Sequence, residues 1–278
     1  MKKVMTIFGT RPEMIKMWSV LKALDNSNFK HIMVHTGQNY TPELKDFFFR
    51  DLCLREPDYY LNIDVSSYGK EVADVVSKSD EIFEIEKPDA LIILGDTYSG
   101  LSVLPAKNRG IKIFHMEAGN RCFDQNVPEE INRHIVDHFA DFNLAYTNLA
   151  KENLLREGLH PRTISVIGSP LNEVISLFKN EIQNSTVLND LGVLSGEFFL
   201  VSAHRQENVD NPKRLIELVE ALNSIAKKFE LPIIVSTHPR TKNKLDALNI
   251  QTNALVAFHT PFGFFDNGDT REPAPLNF

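Results

Sequence analysis

The sequence predicts an α/β protein built from two Rossmann-like lobes, and three observations carry that reading. Short apolar runs alternate with longer amphipathic stretches almost throughout, the pattern of βαβ units around a parallel sheet. The alternation lapses in a polar stretch near residues 180–190 and then restarts. Acidic and basic side chains gather directly after the apolar runs, at the strand edge where open α/β sheets bind ligands.

Residues 4–8, 31–36, 90–94, 111–116, 143–146 and 163–167 read as strands, and residues 14–24, 69–85, 129–139 and 149–157 have helical spacing. After the restart, residues 198–202 read as a strand, 212–229 as a helix, 232–237 as a strand and 240–248 as a helix. This divides the chain into a first lobe over 1–170, a partial second lobe over 171–258 and an atypical tail over 259–278. The tail is dense in Pro, Gly and Asp and follows neither period. With two or three strands, the second lobe has little surface to bury against itself.

At 278 residues, with 42% apolar and 24% charged side chains, the chain fits a soluble globular protein of two domains. A net charge of −7 argues against a general nucleic-acid binder, which needs a basic surface. Cys53 and Cys122 have no metal-like spacing and point to a reducing cytoplasm. The opening Met1-Lys2-Lys3-Val4 resembles the start of an export signal, but its apolar run ends at Phe8. No segment approaches the ~20 apolar residues of a membrane span, so no membrane partner is expected.

Chemistry concentrates at the strand ends. Gly9-Thr10-Arg11-Pro12-Glu13 follows the first strand and opens a helix with Pro12 in its first turn. The backbone N–H groups there favour an anion, and Arg11 and Lys16 could add charge; a tight turn with Arg11 in solvent is the bland alternative. No phosphate-binding P-loop or G-x-G-x-x-G spacing is present. Gly95-Asp96-Thr97 closes the most apolar strand. Asp96 alone reads as a helix cap; beside Glu117, at the end of the next strand, it reads as part of a site.

Residues 117–133 form the most charged connection of the chain, leading from a strand into a helix behind Pro128. Of Glu129 and Glu130, one is expected simply to complement the helix dipole, and Arg133 can pair with either. Cys122 has no basic partner at short range and reads as inert. His134 and His138 are four apart, but His115 gives no convincing third ligand, so no metal is assigned. In the second lobe, Ser202-Ala203-His204-Arg205 and Thr237-His238-Pro239-Arg240 both follow strands. Solvated loops or a phosphate clamp would each fit; the repetition favours an anionic ligand.

Together these motifs resemble the non-hydrolysing UDP-N-acetylglucosamine 2-epimerase family. The matches are Gly9-Thr10-Arg11-Pro12-Glu13, Gly95-Asp96-Thr97, Glu117-Ala118-Gly119, residues 128–133 and His204-Arg205, in family order over residues 1–258. The spelling of residues 117–133 and 202–208 is most similar to the branch that makes UDP-N-acetyl-L-fucosamine from UDP-2-acetamido-2,6-dideoxy-L-talose for capsule or O-antigen assembly. The resemblance implies two facing lobes of the B-type glycosyltransferase arrangement and a UDP-sugar substrate, with no cofactor. It also implies elimination of UDP to a 1,2-glycal, re-addition with C2 inverted, and a family-like homodimer. On that resemblance Asp96, Glu117, Glu129 and His204 are the catalytic groups, the carboxylates with pKa values raised by crowding. Arg11, Lys16, Arg133, Arg205 and His238 bind UDP or substrate.

Two departures stand out. The family continues for about another hundred residues, completing a second lobe of ~150. That portion includes a Ser/Gly-rich turn and a Glu that grip the uridine and diphosphate. Nothing after Phe258 matches, so a truncated lobe with a defective nucleotide grip is expected. Gly37-Gln38-Asn39-Tyr40 also stands where many members carry a Gln-His-Arg run tied to activation by UDP-N-acetylglucosamine.

Overall fold

The computed structural model describes residues 1–37, 49, 52–202, 211–237, 244–245, 250–259 and 262–265. The chain divides into two compact units, Met1–Ser176 and Leu177–Phe278. In the first unit, in chain order, lie β1 (Lys3–Phe8), α1 (Arg11–Asp25), β2 (Lys30–His35), β3 (Tyr59–Tyr60) and α2 (Tyr68–Glu86). They are followed by β4 (Ala90–Leu94), a 3₁₀ segment (Tyr98–Ser102), α3 (Val103–Asn108), β5 (Lys112–Ala118) and α4 (Pro128–Phe139). The unit closes with β6 (Phe142–Ala145), α5 (Asn148–Arg156), β7 (Ile164–Val166) and α6 (Pro170–Leu177).

Its seven strands form one parallel sheet in the order β3-β2-β1-β4-β5-β6-β7. Parallel strands covered on both faces need continuous rather than alternating apolar runs. The pattern follows: Met5, Ile7 and Phe8 of β1, Ile32 to Val34 of β2, and Leu91 and Ile93 of β4 are all essentially inaccessible. Met5, Ile7, Val34 and Ile93 join Val75 and Phe83 of α2, Val103 of α3 and Val136 of α4 in the main core. A second, smaller core of Ala118, Ala145, Ala150, Leu154 and Ile164 lets α5 lie close to the sheet.

Strand order reverses between β1 and β4. In doubly wound sheets this switch point is where two strand-end loops diverge and leave a crevice.

The second unit carries α7 (Lys179–Gln183), α8 (Val187–Leu191), β8 (Phe199–Ser202), α9 (Pro212–Phe229), β9 (Ile233–Ser236) and β10 (Val256–His259). Its described strands make a parallel sheet in the order β10-β9-β8. Asn211 caps α9 by accepting from the Lys213 and Arg214 N–H groups at 3.0 and 3.4 Å. Leu215, Val219, Leu222 and Ala226 then line the buried stripe of that helix.

Several elements differ from the sequence reading. The polar stretch at residues 180–190 contains two short helices. The reading that lost all pattern near Phe258 misses β10, which runs to His259. Phe264, assigned to the tail, is buried and packs edge-on to Phe178 at 5.8 Å between ring centroids. Of the helix expected over 240–248, only residues 244 and 245 are described. No helix among the described residues is long and apolar enough to cross a membrane.

Candidate active site

The two loops at the switch point are tied together by one side chain. Glu13 sits in the first turn of α1, fully buried, and its carboxylate reaches back over the end of β1. It accepts from the backbone N–H groups of Gly9 and Thr10 at 3.1 and 2.8 Å and from the Thr10 hydroxyl at 2.7 Å. Its other oxygen accepts from the Thr97 hydroxyl at 2.9 Å and from Ser99, both just beyond β4. Burial pushes its pKa above the ordinary value, against the lowering effect of these donors. The sequence shows Glu13 in a motif but not as this bridge. Arg11, an anion-binding candidate, begins α1 beside it.

Glu117 lies at the carboxyl end of β5, where pairing with β6 slips between Met116 and Ala118. The bulge carries Glu117 into the left-handed region, at φ 67°, which is costly for a non-glycine residue and clusters at functional sites. β5 therefore extends through this residue, whereas the sequence reading ends it at Met116. Glu117 Oε2 lies 2.5 Å from Lys16 Nζ on α1. Asn120 donates to its other oxygen at 3.4 Å.

Asp96 follows β4 and meets Arg133 from α4, with Oδ2 2.6 Å from both Nε and Nη2. Asn132 also donates to the Asp96 carbonyl at 2.9 Å. Asp96 is thus no helix cap; Thr97 precedes the 3₁₀ segment and spends its hydroxyl on Glu13. Arg133 Nη1 pairs with Glu130 at 2.8 Å, which settles its choice between the adjacent acids.

Glu130 is fully buried and also accepts from the backbone N–H groups of Cys122 and Phe123 at 3.1 and 2.9 Å. Burial alone would raise its pKa; the two N–H donors and Arg133 overcome this and hold it at about 2. Glu129, the acid singled out from sequence, is exposed in the same helical turn. Successive helical residues point about 100° apart, so only the folded loop decides which one faces inward. Asp96 and Glu117 each face a cation, Arg133 and Lys16 respectively.

Behind this wall lies a second, buried network. Asp137 of α4 accepts from the Gly119 N–H at 3.2 Å, lies 2.8 Å from His115 Nδ1 and pairs with Arg121 at 2.8 Å. Burial would raise the Asp137 pKa, but His115 and Arg121 together hold it below the ordinary value. His115 Nε2 contacts the Gly95 carbonyl oxygen at 2.9 Å, so this histidine braces both strand-end loops. Arg121 reaches on to Glu157 with two bonds of 2.7 and 2.6 Å. Gly119 is required where the loop crosses α5: at φ 80°, an added Cβ would stand 2.3 Å from the Ala150 carbonyl oxygen.

Tyr146, read from sequence only as the end of a strand, lies one residue past β6 and is not among the site residues chosen there. Its buried hydroxyl has no hydrogen-bond partner among the described residues. Burial first, then the negative charge of Glu117, raises its pKa. Cys122 is exposed, with Sγ 3.3 Å from a Glu130 oxygen. His204, Arg205 and His238, and Gln38 to Tyr40, lie outside the described residues.

A parallel sheet with paired carboxylates and cations at its switch point is the arrangement of an α/β enzyme that places its ligand at the strand ends. The model of the family described as UDP-N-acetylglucosamine 2-epimerase matches residues 22–269. A UDP-N-acetylglucosamine 2-epimerase structure from Rickettsia bellii is 43% identical, with a TM-score of 0.84 over 96% of this chain and 71% of its own. The Methanocaldococcus jannaschii UDP-GlcNAc 2-epimerase, solved with UDP-GlcNAc and UDP, is 35% identical with a TM-score of 0.88, over 95% of this chain and 75% of its own. A UDP-2,3-diacetamido-2,3-dideoxy-D-glucuronate 2-epimerase from Pseudomonas aeruginosa is 33% identical over 95% of this chain and 74% of that protein. The chain belongs to the UDP-N-acetylglucosamine 2-epimerase family, a family of isomerases.

Proposed function

We propose that the protein inverts C2 of a UDP-2-acetamido sugar by eliminating UDP and adding it back. The observation that carries this is the pair of acid–cation contacts at neighbouring strand ends, Lys16 with Glu117 and Arg133 with Asp96. Elimination needs a base for the C2 proton and cations for the departing diphosphate. In the proposed cycle, a carboxylate removes the C2 proton as the C1–oxygen bond to UDP breaks, leaving a C1=C2 glycal. UDP then re-forms its bond at C1 while a second acid returns a proton to the opposite face of C2. Atoms and charge balance without a redox partner.

Asp96 and Glu117 are the proposed proton carriers, with Glu129 a further candidate in the first turn of α4. Lys16, Arg133 and Arg11 are proposed to receive the diphosphate, with His204, Arg205 and His238 as further proposed contacts. Glu130 is proposed to position Arg133 rather than to touch the sugar. The spelling of residues 117–133 supports the finer reading that the substrate is UDP-2-acetamido-2,6-dideoxy-L-talose, giving UDP-N-acetyl-L-fucosamine for capsule or O-antigen assembly. The relatives named for UDP-N-acetylglucosamine support equally well its conversion to UDP-N-acetylmannosamine. A cytoplasmic homodimer is the proposed setting.

Incubation of each UDP-sugar in deuterated water tests both levels. Deuterium at C2 of one sugar alone identifies the substrate. UDP binding by calorimetry with label in neither sugar would reduce the protein to a nucleotide-sugar binder.

A further inference from the structure

Away from the crevice residues, α4 presents a second group of ligating side chains. His134 and His138 are one helical turn apart and so share a face. Glu157, the residue that ends α5, reaches the same face. Its Oε2 lies 3.4 Å from His134 Nδ1 and 3.2 Å from His138 Nε2. The three ligand atoms all lie within 4.8 Å of one another. Glu157 is a third candidate ligand, one that sequence spacing does not reveal.

Those separations suit an ion. Tetrahedral coordination at about 2.0–2.1 Å places neighbouring ligand atoms roughly 3.4 Å apart. Two edges of the triangle already have about that length, and rotation of a half-exposed imidazole closes the third. Side-chain exposures of 38%, 45% and 23% for His134, His138 and Glu157 leave a path from solvent and room for water ligands.

Charge and outer support agree. Arg121 grips Glu157 through both oxygens, fixing the carboxylate as outer partners of metal ligands do, and each oxygen keeps a second lone pair. The Arg121 charge is already met by Asp137 at 2.8 Å. With neutral imidazoles, the group of Arg121, Asp137 and Glu157 carries one net negative charge. Two imidazoles and a carboxylate suit zinc, nickel or copper rather than magnesium or calcium.

We propose that His134, His138 and Glu157 bind one divalent transition-metal ion of borderline softness, zinc being the type case, with water completing its coordination. The ion would pin the last turns of α4 to the end of α5. Through Arg121 it would also stiffen the loop that follows Glu117.

The test uses the full chain without a purification tag, titrated with zinc chloride by calorimetry and with cobalt chloride by visible absorption. One equivalent is expected to bind, with a ligand-field spectrum of low-coordinate cobalt and a rise in melting temperature on zinc addition. Outer-partner losses weaken metal binding by about 10–100-fold, so H138A, which removes a ligand outright, should cost at least about tenfold. The H134A/H138A double variant should lose the site and the melting shift while keeping its unliganded melting temperature. Absence of binding to the wild type overturns the proposal. So does undiminished binding to the double variant, which would place the ion on other histidines or on the exposed Cys53 and Cys122.

Discussion

Gly119→Ala tests whether the loop bearing Glu117 is set by its close crossing of α5. The new Cβ would sit 2.3 Å from the Ala150 carbonyl oxygen and 2.8 Å from Leu154 Cγ. The first contact is about 1 Å inside the ~3.3 Å at which a carbon normally meets a carbonyl oxygen. An L side chain in the left-handed region costs about 1–2 kcal/mol, and forced overpacking adds about 1–3 kcal/mol. The variant should therefore lose about 2–5 kcal/mol. Gly110→Ala is the matched control: φ is 71° and its Cβ meets nothing within 4 Å, so only the first cost of about 1–2 kcal/mol applies. Relief of the clash should move the loop by about 1 Å only two residues from Glu117, enough to lower turnover by about 10²-fold. Urea unfolding and C2 deuterium exchange measure both effects. The reasoning fails if the two variants lose stability equally, within about 0.5 kcal/mol, and G119A keeps wild-type exchange.

Acid titration offers a second check. The carboxyl of Glu130 is held at about 2, below its ordinary 4.5. Its contribution is therefore complete above the unfolded value and is lost as pH falls from 4.5 towards 2. E130Q should flatten the fall in stability across that window, and superimposable profiles would remove Glu130 from this role. K16M should leave stability within about 1 kcal/mol, since the Lys16–Glu117 pair is partly exposed. Turnover should nevertheless drop by about 10²–10³-fold through loss of a donor to the departing charge. A K16M protein with near-normal turnover would show that Lys16 does not meet the diphosphate.

Sequence periodicity recovers the strands that are long and buried on both faces, because parallel strands must be continuously apolar. It fails at β3, whose two tyrosines are too short for any period. It also fails between β4 and β5, where Gly100 and Pro105 look like breakers. Pro105 in fact falls in the first turn of α3, where no intrahelical N–H bond is lost. Gly100 is there because a Cβ would press on Val136 at 2.9 Å.

The placement of Asp96 and Glu117 at neighbouring strand ends was legible, because it follows from where the apolar runs stop. Partnerships were not. That Glu130 rather than Glu129 faces inward depends on the backbone N–H groups of residues 122 and 123. The meeting of Glu157 with Arg121, 36 residues away, depends on how α5 crosses the loop.

The Glu13 carboxylate has a mechanical meaning. Five donors from two separate loops converge on it, so the tips after β1 and β4 cannot move apart without stripping a buried carboxyl group of its hydrogen bonds. The strand-end rim on either side of the switch point behaves as a single plate. A ligand of the proposed kind would find that plate already shaped, and ordering it would take little from the binding free energy.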